Sequence, residues 1–140
     1  MGRIPYRKPS KKVVASAALI ALLGGGAAYL SLDTVADFEG YVPEGYKDPV
    51  GIPTKCWGDT RDVIVGQEYS FEECSRSLNE HLYENARPVT ICVKDFDKLP
   101  DKTKAALVSM AYNIGPTAFC KSSVARYFNQ GRQERGCERI

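Results

Sequence analysis

Two carboxylates and a hydroxyl, Glu39, Asp48 and Thr54, stand in the order E-x8-D-x5-T within the stretch FEGYVPEGYKDPVGIPT. Gly40, Gly45 and Gly51 supply turn positions in a segment otherwise rich in Pro and Tyr. A carboxylic acid and a carboxylate held apart in this way serve the hydrolysis of a glycosidic bond. One protonates the leaving oxygen while the other aims a water at the anomeric carbon. Carboxylates beside glycines are common on protein surfaces. Spacing alone therefore leaves open a solvated helix-end acid at Glu39, a turn residue before Pro49 at Asp48, and an ordinary strand residue at Thr54.

The elements that must position these groups are legible around them. Asp33 can cap a short helix, TVADFE, that Gly40 ends. Glu39 then sits in the last turn, where the carbonyl end of the helix dipole disfavours ionisation and a raised pKa is expected. Residues 41–60 predict a small antiparallel hairpin sheet. Ser70 and Glu73 form an S-x-x-E capping box, followed by Phe71, Cys74, Leu78 and Leu82 at helical spacing through Arg87, with Pro88 as the stop. After a polar loop, DKTKAALVSMAYNIG reads as a buried helix closed by Gly115 and Pro116. Ser122 can cap a further helix, SVARYFNQ, ended by Gly131, and another helix begins at Arg132.

Charge is unevenly spread. The net charge of +2 comes from 19 basic and 17 acidic side chains, but Arg3, Arg7, Lys8, Lys11 and Lys12 all precede the first acid, Asp33. The remainder carries no basic stripe with interleaved aromatics, which argues against a nucleic-acid partner. Residues 13–32 contain no charge, and as one helix they would span about 30 Å, the thickness of a bilayer's hydrocarbon core. With cations before and acids after, the positive-inside rule predicts a cytoplasmic flank at residues 1–12 and an external body at 33–140. Eleven of those twenty residues are Ala, Gly or Ser, so such a helix gains little from lipid and predicts a weak anchor. An uncleaved signal-anchor is the preferred reading. A signal peptide cleaved after Gly26-Ala27-Ala28 and a buried core helix remain open, although the triple glycine suits no packed soluble helix.

The run from Glu39 to Thr54 resembles the catalytic stretch of the bacteriophage-type lysozymes (glycoside hydrolase family 24), whose Glu, Asp and Thr occur at this separation. Ala111-Tyr112-Asn113-Ile114-Gly115 and Phe128-Asn129-Gln130-Gly131 extend the resemblance. It implies an α+β, mainly helical, two-lobed domain with a small antiparallel hairpin sheet. It also implies an endolysin muramidase that hydrolyses the β-1,4 bond between N-acetylmuramic acid and N-acetylglucosamine in peptidoglycan, lysing the host. On this reading Glu39 is the proton donor, Asp48 the carboxylate, and Thr54 the hydroxyl beside the water. Tyr46, Trp57 and Asn113 border the sugars, with sheet-core and helix-capping roles as their alternatives. Neither metal nor cofactor is required, and the protein is expected to be a monomer. Residues 13–32 would tether it to the inner membrane as a signal-anchor-release segment, with later release to the periplasm.

Export into an oxidising compartment predicts disulfides. Cys56–Cys74 and Cys92–Cys120 are the preferred pairs, with Cys137 left over, although sequence does not determine connectivity and free buried cysteines remain the alternative. With one His and no C-x-x-C, a zinc site is not expected. Two departures from the family stand out. Where its members commonly show G-x-G-H after the Thr, this chain has Cys56-Trp57-Gly58-Asp59; Asp59 is not an electrostatic substitute for the histidine, and a disulfide is expected to order the hairpin instead. The family's second lobe also continues beyond a position like Gly136, which predicts a truncated lobe with apolar surface left bare on SVARYFNQ. A membrane-anchored peptidoglycan-binding protein without turnover and a lytic transglycosylase are the alternative functions; retention of both Asp48 and Thr54 speaks against the latter.

Overall fold

The computed structural model describes residues 4–140, so Arg3 of the basic flank lies outside the described residues. Among these the helices are α1 (Ala17–Leu23), α2 (Gly25–Glu39), α3 (Phe71–Cys92), α4 (Asp101–Ile114), α5 (Pro116–Cys120), α6 (Ser123–Asn129) and α7 (Gln133–Glu138). Strands β1 (Val42–Lys47) and β2 (Pro53–Cys56) follow α2 and pair antiparallel, with Val42 opposite Cys56, Tyr46 opposite Thr54 and Lys47 opposite Pro53. The fold is mainly helical with one small hairpin sheet.

Helix α3 is the spine. The Glu73 backbone N–H donates to Ser70 Oγ (3.1 Å) and the Ser70 N–H donates to Glu73 Oε2 (2.8 Å), completing the capping box. The helix does not stop at Pro88 but runs through it to Cys92. Val89 and Val93 are fully buried, and burying two such side chains, at about 1.5–3 kcal/mol each, offsets the roughly 3 kcal/mol that an interior proline costs. The Cys92–Cys120 disulfide then ties this end to α5.

Residues 13–32 are not one straight helix. Ser16 caps α1 by accepting from the Leu19 N–H (3.1 Å). The helix ends at Gly24, whose φ of 86° and ψ of 156° belong to a region essentially reserved for glycine, and α2 departs at 111°. No single helix among the described residues is long and apolar enough to cross a membrane, although the bent α1–α2 pair has the length and composition to do so. Leu19, Leu23, Ala27, Ala28 and Leu32 all lie in the core. The expectation that the triple glycine suits no packed helix is corrected: Gly24 is the corner between two packed ones. Asp33 consequently lies inside α2 rather than capping it. Polar clamps hold the segment down: Asn79 of α3 accepts from the Ser16 N–H (2.8 Å) and donates to the Val14 carbonyl (3.1 Å), while buried Lys104 donates to the Leu23 carbonyl (3.1 Å).

On the other side, Ser122 caps α6, and Val124, Ala125 and Phe128 are buried rather than bare. Helix α7 covers them: a side chain at Gly136 would collide with the Phe128 ring. Cys137 is exposed and unpaired.

Candidate active site

Glu39 is the last residue of α2, and Gly40 caps it at a φ of 76°. Its carboxylate lies directly against Gly58, so closely that a Cβ there would overlap Oε2. Gly58 itself has a φ of 71°, so glycine is required twice over. The carboxylate is half-buried and makes no hydrogen bond or ion pair among the described residues. Burial raises its pKa. The direction matches expectation, but the cause is desolvation rather than the helix end. Its charge is felt by Tyr46 on the hairpin and by Tyr112 on α4, whose hydroxyls are raised first by their own burial and further by Glu39. Glu39 thus stands between the hairpin and α4.

Asp48 opens the turn after β1. Its Oδ1 accepts from the backbone N–H groups of Val50 (3.0 Å) and Ile52 (2.8 Å), which fixes the carboxylate's orientation and leaves Oδ2 without a partner among the described residues. Thr54 is 5% exposed and donates Oγ1–H to the Ile52 carbonyl (2.9 Å). It faces Tyr46 across the hairpin, so the two predicted residues are neighbours.

Asn113 is exposed and lines a groove of ≈590 Å³ between α2 and α4, together with Phe38, Tyr112 and Ile114. Trp57 differs from its predicted subsite role. It is 3% exposed and its ring packs on Tyr41 (centroids 4.6 Å apart) and Phe71 (5.9 Å). An indole enclosed by two aromatic rings supports the hairpin from within and has no face left for a sugar.

The hairpin's far end is fastened to α3 in two ways. One is the Cys56–Cys74 disulfide, with Cys56 at a φ of 57°, a left-handed conformation in the first glycine position of the family's G-x-G-H. The other is Asp59. Its Oδ2 accepts from the Ser77 hydroxyl, and its Oδ1 accepts from the Arg61 backbone N–H (2.9 Å). Burial alone would raise this carboxyl, but the Ser77 and Arg61 hydrogen bonds and the Arg61 and Lys55 charges hold it below the ordinary value. Asp59 therefore anchors the hairpin by accepting hydrogen bonds, an arrangement the charge argument from sequence overlooked. Tyr112 was also missed, because it reads as one more core residue of an apolar helix.

Comparison with known proteins decides the family. The phage lysozyme family model matches residues 36–140. The chain belongs to the phage lysozyme family. The SAR-endolysin of Enterobacteria phage P21 is 33% identical over 132 residues, covering 88% of this chain and 78% of its own. Among solved structures, the endolysin from Escherichia coli O157:H7 phage FAHEc1 superposes with a TM-score of 0.70 at 31% identity, over 79% of this chain and 70% of that one. The active form of P1 phage endolysin Lyz superposes with a TM-score of 0.71 over 92% of this chain and 80% of its own; at 18% identity it speaks to the fold alone.

Proposed function

We propose that this phage lysozyme is an endolysin muramidase that cleaves the β-1,4 bond between N-acetylmuramic acid and N-acetylglucosamine in peptidoglycan and so lyses the host. The observation that carries the reading is the contrast between its two carboxylates. Glu39 is half-buried with its pKa raised, and nothing within reach neutralises it. A carboxyl that holds its proton more tightly in this way is suited to donating it to the glycosidic oxygen. Asp48 is held by two backbone donors with one oxygen free. That oxygen, with Thr54 beside it, is suited to orienting a water for attack from the opposite face, with inversion. Tyr46 and Asn113 border the sugars, and Trp57 supports the hairpin beneath them.

Residues 13–32 serve as a releasable signal-anchor, and the α1–α2 corner is the released, periplasmic arrangement of a monomer. The segment's small side chains support this, because they gain little from lipid and fit closely against α3 and α4. The test is digestion of purified peptidoglycan followed by mass spectrometry. Muropeptides with free reducing ends are expected; 1,6-anhydro ends would identify a transglycosylase, and no products at all a binding protein.

A further inference from the structure

Residues 4–12, which the family resemblance does not cover, are folded onto the catalytic hairpin. The Arg7 backbone N–H donates to the Tyr41 carbonyl (2.8 Å), an antiparallel bridge that adds a strand edge beside the hairpin. Arg7 also approaches Glu68 (3.9 Å) and Lys11 approaches Glu72 (3.5 Å), while Val13 and Ala15 enter the core. One residue before the bridge, the Tyr6 ring lies so close to Gly40 that any Cβ there would overlap it. Gly40 is the residue next to Glu39. Tyr6 nevertheless remains 56% exposed, so its ring presents surface to solvent beside the acid. Tyr46, whose hydroxyl pKa is raised first by its own burial, is raised further by the neighbouring Tyr6 hydroxyl and by Asp48 and Glu39.

We propose that Tyr6 is a sugar-binding residue of the cleft, offering its ring to a pyranose of the glycan strand bound next to Glu39. The proposal rests on the muramidase reading and extends it to a segment outside the lysozyme domain. An exposed ring held by backbone pairing and by a glycine floor is preorganised, so little ordering cost accompanies binding. Aromatic faces of this kind add binding through dispersion and apolar contact. A consequence follows for the anchored form. While residues 13–32 span a bilayer, Tyr6 and Gly40 lie on opposite sides of it, and the subsite is complete only after release.

Binding is measured with the tetramer of N-acetylglucosamine on full-length Glu39→Gln protein, with and without Tyr6→Ala, and kinetic constants on solubilised peptidoglycan in the otherwise native chain. Tyr6→Ala is expected to weaken tetramer binding and raise KM about three- to tenfold, with kcat and Tm unchanged. Tyr6→Phe should restore both and Tyr6→Leu should not. Unchanged affinity and KM in Tyr6→Ala would overturn the proposal, as would rescue by Tyr6→Leu, which would mark the ring as mere packing for the arm. Absence of measurable tetramer binding to the Glu39→Gln parent overturns it as well. Failure of the native chain to release reducing ends would instead defeat the muramidase reading, while the tetramer affinities still decide the role of Tyr6.

Discussion

Residues 13–39 and residues 40–69 are both rich in glycine, and they use it to opposite effect. In the hairpin region, Gly40, Gly45 and Gly58 are hemmed in: Tyr6 lies against the first, the Ile64 carbonyl against the second and the Glu39 carboxylate against the third, and the strand is held by the Cys56–Cys74 disulfide and by Asp59 on Ser77. One geometry satisfies all of these. In the N-terminal stretch, Gly24 makes a corner with nothing within 4 Å of where a side chain would begin, and the helices are held by Asn79, Lys104 and the buried Leu19, Leu23, Leu32 and Val35. A catalytic site needs an over-determined backbone. A segment proposed to exchange bilayer for core needs a fold that it can also leave.

The largest effect should come from the most constrained part. Glu39→Gln keeps the shape of the side chain and removes its proposed proton-donating role, so activity should fall about 10²–10⁴-fold, the range typical of general acid catalysis. Folding should be preserved, because the change takes a half-buried carboxyl without partners and makes it neutral. Turbidity clearing of permeabilised Gram-negative cells reads the loss, with circular dichroism confirming the fold. Undiminished clearing by the folded variant would remove Glu39 from the chemistry.

Next in size is the hairpin's covalent tie. The Cys56–Cys74 bond closes a loop with a sequence separation of 18, and losing a cross-link of that span costs about 3 kcal/mol. For a chain of this length that corresponds to a fall in Tm of about 10 °C. The Cys74→Ser variant should also lose activity per folded molecule, since Cys56 then holds its left-handed φ of 57° unaided. Cys92→Ser, which opens the more distant Cys92–Cys120 bond, should lose comparable stability but keep its specific activity. Equal activity losses in both variants would show that the hairpin has no special dependence on its tie.

The local placement of the candidate residues was legible in the sequence and the N-terminal architecture was not, for a physical reason. Glu39 closes a helix that Gly40 ends, while Asp48 and Thr54 sit at a turn and on a strand of the hairpin, and helix ends and turns are set by a few neighbours. Helix starts at Ser16, Ser70 and Ser122 obey local capping in the same way. The fate of residues 13–32 depends on what packs against them. The same apolar, uncharged composition suits lipid on every side or α3 and α4 on one side, and no local feature decides. The choice between a subsite and a sheet-core role for Trp57 was undecided likewise, because its packing on Tyr41 and Phe71 is a tertiary fact. Pro88 marked a helix end by local rules and was overridden by the burial of Val89 and Val93.

The comparison sharpens at the corner itself. Leucine at Gly24 would have to adopt a φ of 86°, costing the α1–α2 arrangement about 1–3 kcal/mol, while leucine in a membrane helix adds favourable insertion energy of about half a kcal/mol. Leucine at Gly25 brings the same gain in lipid but meets nothing in the folded core. Gly24→Leu should therefore retain most of the protein in the membrane fraction and delay lysis, and Gly25→Leu should do so only slightly. Fractionation of expressing cells reads the difference. Identical retention by the two variants would mean that lipid affinity alone, and not the corner, sets release.

The smallest effect is in pH dependence, where two carboxylates pull in opposite directions. Asp59 has a folded pKa below its ordinary value of 3.8, so the stability it contributes is present above that value and is lost as pH falls through the folded one. Glu39 has a folded pKa above its ordinary value of 4.5. The folded state therefore holds the Glu39 proton more tightly than the unfolded chain does. Its contribution to stability is fully present below 4.5 and is lost as pH rises through the raised folded value, after which the fold carries a half-buried charge. Tm measured against pH for the native chain and for Glu39→Gln should diverge only above 4.5, with the variant becoming relatively more stable and the gap levelling off once Glu39 has ionised. Clearing activity should decline on the alkaline side of the same window, because the proton donor is then spent. Asp59→Asn should leave that divergence in place and remove only the acid-side loss. Parallel Tm curves for the native chain and Glu39→Gln would place Glu39 in solvent rather than in a half-buried site.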